Sequence, residues 1–177
     1  MYIRTKKIKD QHYAYLVSAR WSKRKKAPKQ KTVKYLGKLK TIKKTKNKTF
    51  EQYIKKDLEE YLKKTKLKRI VLDLVRCELI NHKFKEVKKD VWQLSEAIVD
   101  LKTKKVYNLD TKKTLCLEIN NNFLTTHTLR NIVDFSSPPN LTNLQIGKSL
   151  AKAFLSAGIV LPEPIFLAIF QKISKKF

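Results

Sequence analysis

Eighteen Lys and Arg residues and one acidic residue, Asp10, occupy the first 48 positions of this 177-residue chain, with aromatic and β-branched residues set among them. Such a segment is constrained twice. Its charges repel one another, so they call for a polyanion that neutralises them. Its alternating apolar positions call for extended strands with two distinct faces. A solvated tail has no use for that alternation. The stretch therefore reads as a folded basic module.

Residues 2–9 have strand character, and residues 13–21 have more of it. Tyr13, Tyr15, Val17 and Ala19 fall on one face at period two, and Ala14, Leu16 and Ser18 on the other. Asp10, Gln11 and His12 suit a hairpin loop. Residues 22–29 read as a basic loop closed by Pro28, and residues 30–37 as a third strand. Strict alternation there groups Lys31, Val33 and Tyr35 against Thr32, Lys34 and Leu36. The expectation is a three-stranded antiparallel sheet, which needs a helix or a partner over one face. Tyr13, Tyr15 and Tyr35 suit that covered face. The other use for them is stacking on unpaired bases.

Residues 38–48 read as a Lys-rich connector. Thr49 and Gln52 fit a capping box. Phe50, Ile54, Leu58, Tyr61 and Leu62 then trace the stripe of one long helix. A second helix is expected over residues 67–81. Residues 84–119 turn β-like, with strands at 97–101, 106–109 and 114–119 forming a second small sheet. Thr125 or Thr126 can cap a short helix. Pro138 and Pro139 mark a loop. Thr142 and Gly158 bracket a further helix, and Pro162 and Pro164 open the last. The fold class is α+β: a small basic three-stranded antiparallel sheet over residues 1–48, then a helix-rich mixed domain over 49–177 with a second small antiparallel sheet.

Composition narrows the chemistry. The chain has 35 Lys and 6 Arg. Lys is a point charge for phosphate, whereas Arg reads guanine bidentately, so contacts to the nucleic-acid backbone should dominate. Cys77 and Cys116 lie in no metal-binding spacing and read as buried free thiols. His12, His82 and His127 sit on three different elements. A capped turn explains His127 better than catalysis does. Glu59 with Lys63 and Glu60 with Lys64 read as surface helix pairs. With three glycines in the whole chain, no glycine-rich phosphate loop can be built. The most apolar window, residues 150–170, is interrupted by Lys152, Gly158, Pro162, Glu163 and Pro164, which argues for core helices over a membrane span. The reading is a cytoplasmic protein, nucleoid-associated if it binds DNA, with no membrane and no cofactor. The apolar C-terminal helices leave a homodimer open.

The candidate interface is Arg4, Lys6, Lys7, Arg20, Trp21, Lys23, Arg24, Lys25, Lys26, Lys29, Lys31 and Lys34. Lys23 to Lys31 are assigned to phosphates, Arg4 and Arg20 to bases, and Trp21 to stacking or wedging. The runs Tyr2–Ile3–Arg4, Tyr13–Ala14–Tyr15–Leu16–Val17, Arg20 and Lys29–Gln30–Lys31–Thr32–Val33–Lys34–Tyr35–Leu36–Gly37 resemble the N-terminal region of DDE-type insertion-sequence transposases. The resemblance covers residues 1–39 and implies a DNA-binding β-unit. The other 138 residues are too few for the family's nuclease domain, and Asp73, Asp100, Asp110 and Asp134 show no arrangement for holding two metals. The expected function is therefore non-enzymatic binding of duplex DNA, as a small transcription factor or chromatin-associated protein. RNA or ribosome binding is the alternative. A nucleic-acid-processing enzyme comes third, because it needs a clustered acidic or His site.

Overall fold

The structure is a computed structural model and describes residues 1–24, 26–136 and 141–174. The expected Pro138–Pro139 loop lies outside the described residues. The alternating stretch forms β1 (Tyr2–Ile8), β2 (Gln11–Ser22) and β3 (Ala27–Thr41). β2 and β3 run further than expected. Ala27, Pro28 and Lys29 of the expected basic loop join β3, with Pro28 opposite Trp21, and β3 extends into the Lys-rich connector.

The expected long helix is two helices, α1 (Phe50–Ile54) and α2 (Leu58–Lys64). Lys55 turns left-handed at φ 53°, and Asp57 recaps the chain by accepting from the Glu60 amide at 2.8 Å. A capping aspartate and a left-handed residue outcompete the continuous stripe, whose apolar residues still reach the core. The Thr49–Gln52 capping box forms as expected, and so do the Glu59–Lys63 and Glu60–Lys64 pairs. Next come α3 (Leu67–Asn81) and a meander of β4 (Lys85–Lys88), β5 (Val91–Leu94), β6 (Ala97–Asp100) and β7 (Lys105–Asn108). The chain ends with β8 (Leu115–Ile119), β9 (Asn122–Thr125), α4 (Thr126–Val133), α5 (Asn143–Ala157) and α6 (Glu163–Ser174). Thr125 and Thr142 cap α4 and α5, and Gly158 closes α5 at φ 69°.

The α+β class stands, but the first sheet has five strands where three were expected. Its order is β1-β2-β3-β8-β9. β8, expected in the second sheet, leaves it and pairs in parallel with β3, from Lys38 opposite Leu115 to Thr41 opposite Glu118. β4 and β5 fill the second sheet, which has four antiparallel strands. The cause lies in β8 itself. Its residues alternate Leu, Cys, Leu, Glu, Ile, so it carries apolar side chains on both faces. Leu115, Leu117 and Ile119 enter the main core with α3 and the C-terminal helices. Cys116 joins a smaller cluster with Ala14, Leu16 and Leu36, flanked by Ile3, Leu39 and Phe123. An edge position in the second sheet does not offer both.

α3 is the hub of the main core and carries buried polar residues that clip its neighbours. Asp73 accepts from the Tyr61 hydroxyl at 2.7 Å, from Arg69 at 2.9 Å and from Arg76 at 2.5 Å, and Arg76 also reaches Asp90 in the β4–β5 turn. At the C-terminal end of α3, the Asn81 side chain bonds both the amide and the carbonyl of Lys48, each at 3.0 Å. The Asn81 carbonyl accepts from the amides of Thr45 and Lys46. Buried Glu78 accepts from Asn120 at 2.8 Å. The segment following β3 is thereby tied to the body of the protein. No helix among the described residues is long and apolar enough to cross a membrane. α5 and α6 bury Ile146, Leu150, Phe154, Ile165 and Ile169 and expose Leu144, Leu155 and Leu167.

Two glycines make the packing testable. At Gly37, φ is 131°, and an added Cβ would lie 2.5 Å from the Thr114 carbonyl oxygen, inside the β3–β8 joint. Gly37→Ala is expected to destabilise the fold by at least about 2 kcal/mol through strain and collision with backbone. At Gly147, inside α5, an added Cβ would meet only Phe166 and Phe170 ring atoms at 3.7–4.0 Å. Gly147→Ala is expected to stabilise by roughly 0.5–1 kcal/mol, the helix-interior difference between the two residues. Urea unfolding of the two variants gives opposite shifts in midpoint.

Candidate nucleic-acid interface

β2 and β3 outgrow the body. β1 reaches as far as Val17, opposite Tyr2, and beyond it β2 and β3 continue as a ribbon of five residue pairs, from Ser18 opposite Lys31 to Ser22 opposite Ala27. At roughly 3.3 Å per residue the ribbon is about 17 Å long. Every residue from Ala27 to Tyr35 is exposed, and so are Ala19, Arg20 and Trp21 on the other strand. Lys23, Arg24 and Lys26 sit at the tip, with Lys26 left-handed at φ 45°. Lys25 lies outside the described residues.

Register assigns the expected site residues to faces, because residues opposite one another share a face. Ala14 and Leu16 are buried and mark the inner face of the sheet. Lys34 is opposite Leu16, Lys31 opposite Ser18 and Lys29 opposite Arg20, so these four cations follow the inner face out along the arm. Lys7, opposite His12, also lies on that side. Arg4 is opposite Tyr15 and Lys6 opposite Tyr13, on the outer face. Trp21, opposite Pro28, is also on the outer side and is 67% exposed. The structure thus divides the candidate residues into an arm set and an outer-face set.

Two expectations are corrected. The tyrosines do not form the buried face; Ala14, Leu16 and Leu36 do, because the smaller side chains pack beside Cys116. The strict alternation read into β3 is also broken. Bulges at Leu36 and Val33 shift the register twice. Leu36 turns inward and Tyr35 outward, and Lys31 and Lys34 come to share a face. Sequence reasoning also missed Lys38, which extends the third strand opposite Tyr13, and Gln30, whose Oε1 accepts from Arg4 Nη1 at 2.6 Å. Continuing the period-two pattern past Gly37 would have found Lys38. The Gln30 contact crosses β2 and has no local signal.

Electrostatics set this region apart. Among the described residues, no ion pair involves a cation between Arg4 and Lys38; the first along the chain is Lys40 with Glu96. Arg20 and Lys29 face each other directly, a like-charge cross-strand pair that destabilises an isolated hairpin. Nearby His127 is hydrogen-bonded to Asn131 at 3.2 Å, and its pKa is lowered by burial and then by Lys34. His127 therefore adds no charge at neutral pH. Cys77 and Cys116 are buried and free, and burial pushes their thiols up to about 11 and about 12. Neither is poised as a nucleophile. Comparison with family models, curated proteins and solved structures returned no match to this chain.

Lys40 marks where the paired cations begin. Its Nζ lies 2.6 Å from Glu96 Oε1, across to the second sheet. That hydrogen bond, and then one from Ser95, hold the Glu96 carboxyl down at about 2 from an ordinary 4.5. A depressed carboxylate stabilises the fold above its unfolded pKa, and the contribution fades as pH falls from about 4.5 toward about 2. Both side chains face solvent, so the effect is under about 1 kcal/mol. Glu96→Gln is expected to lower stability at about pH 6 and to narrow its loss between about pH 6 and about pH 3, measured by urea unfolding at both.

Proposed function

We propose that this protein binds duplex nucleic acid without catalysis, DNA in preference to RNA, by laying the β2–β3 arm in the major groove. The observation that carries this reading is a projecting ribbon whose cations have no carboxylate partners among the described residues and in which Arg20 and Lys29 directly oppose each other. A polyanion relieves that repulsion. A two-stranded ribbon fits the DNA major groove, about 12 Å wide. The deep, narrow major groove of A-form RNA does not admit side chains in this way. In the groove, Lys29, Lys31 and the tip residues Lys23, Arg24 and Lys26 face phosphates. Arg20, on the same face as Lys29 and Lys31, is the arm's bidentate reader of base edges; exposed Trp21 projects from the opposite face, away from those bases. The resemblance of residues 1–39 to a transposase DNA-binding region supports the same reading. The Lys-rich balance favours contacts to the backbone over sequence readout, which suits a chromatin-associated role or a weakly specific transcription factor.

The test is a salt titration of duplex binding by fluorescence anisotropy. With six to ten phosphates contacted, affinity falls roughly 10³–10⁵-fold between about 50 and 200 mM salt. The double variant Lys29→Ala with Lys31→Ala is expected to reduce the log–log salt slope by about 2, close to one unit per phosphate contact. A flat salt response, or a slope unchanged in that variant, refutes the arm as the binding element. Tighter binding to structured RNA in direct competition would move the reading to RNA.

A further inference from the structure

The arm leaves the outer face of the sheet unexplained. Tyr13, Tyr15 and Tyr35 gather there, with Tyr35 5.5 Å from Tyr15 and 6.4 Å from Tyr13 between ring centroids. Lys6 Nζ stands 5.6 Å from the centre of the Tyr15 ring. Arg4 and Lys38 complete the border, opposite Tyr15 and Tyr13. None of these three cations has a carboxylate partner among the described residues. Tyr35 is 45% exposed. The sheet has its own apolar cluster on the inner face, so these rings are not what holds β1–β3 down.

The backbone presents this face by specific means. Without the bulge at Leu36, alternation from Gly37 would turn Tyr35 to the inner side and Leu36 outward. Bulges on either side of the Lys34–Tyr35 pair bring the third ring beside the other two. The same face is covered further across the sheet, where Leu115, Leu117 and Leu124 enter the main core. Tyr35 thus lies open beside the body at the root of the arm, with Tyr13 and Tyr15 half-buried next to it.

Aromatic rings rimmed by unpaired cations meet the two requirements of a single strand: π-faces for bases without neighbours and positive charge for the backbone. Duplex bases are already stacked and gain nothing from such a face. We infer that the Tyr13–Tyr15–Tyr35 face binds unpaired nucleotides, so that the protein recognises a junction where a single strand leaves the duplex held by the arm. The junction preference rests on the proposed duplex binding; the stacking site itself does not.

The test uses the full-length protein with a blunt DNA duplex, the same duplex carrying an eight-nucleotide single-stranded tail, and the tail strand alone. Anisotropy gives the affinity, and 2-aminopurine placed in the tail reports stacking. The tail is expected to tighten binding by about tenfold, the effect of one base stacked on an aromatic ring. Tyr35→Leu should cancel that gain and the fluorescence quench while leaving blunt-duplex affinity unchanged, and Tyr35→Phe should retain all three. Circular dichroism confirms that both variants fold. Equal affinity for blunt and tailed duplexes overturns the inference, as does a Tyr35→Leu variant that weakens both alike. Failure of the wild type to bind the blunt duplex, with the tail strand still bound through Tyr35, refutes the arm reading and upholds the stacking site.

Discussion

The parallel joint between β3 and β8 is the contact on which this architecture depends. Antiparallel neighbours close through a short turn, whereas a parallel pair needs a long crossover. Here that crossover, residues 42–114, contains three helices and the whole second sheet. The joint therefore sets where the core domain stands relative to the basic strands. Gly37 makes the approach possible, since backbone atoms of Thr114 and Leu115 occupy the space a side chain would need. β8 then serves two cores at once, Cys116 on one side and Leu115, Leu117 and Ile119 on the other. A self-contained three-stranded module would have had one face to cover by itself. The five-stranded sheet solves that problem by borrowing two strands, β8 and β9, from beyond the second sheet.

With the root of the sheet fixed in this way, the arm can carry an electrostatic load that a free hairpin would not tolerate. The Arg20–Lys29 opposition and the bare tip cations work against pairing of β2 with β3. Burial of Ala14, Leu16 and Leu36 at the root, and the ties from Asn81 to the segment after β3, hold the strands together regardless. The contrast with the rest of the chain is sharp. From Lys40 onward, some cations find carboxylates: Lys40 with Glu96, Lys44 with Glu78, Arg76 with Asp73 and Asp90, Lys104 with Asp134.

Much of the fold was legible because it is local. Thr49, Thr125, Thr142 and Gly158 announce helix ends through contacts spanning about three residues. The 67–81 stripe is a local period, and so are the strands of the arm. What escaped depends on contacts distant in sequence. Nothing within Leu115–Ile119 says which sheet it joins. The break at Lys55 was hidden by an apolar stripe that continues across it, although Asp57 was the available signal. The candidate site shows the same division. Its charges were countable, but Leu36 and Val33 bulge only because β2 is their neighbour, and the Arg4–Gln30 contact spans three strands.

The amino-acid sequence by itself determined that the first quarter of the chain would carry strands dense in positive charge, since composition and alternation are properties of neighbouring residues. Only the tertiary structure decided which way each face looks. A period-two pattern is symmetric between its two sides, and the choice falls to whichever side finds a surface to bury against. Here Ala14 and Leu16 found Cys116 and Leu36, and the tyrosines were left facing out. That outcome converts one basic segment into two surfaces, a ribbon of cations and an aromatic face beside it.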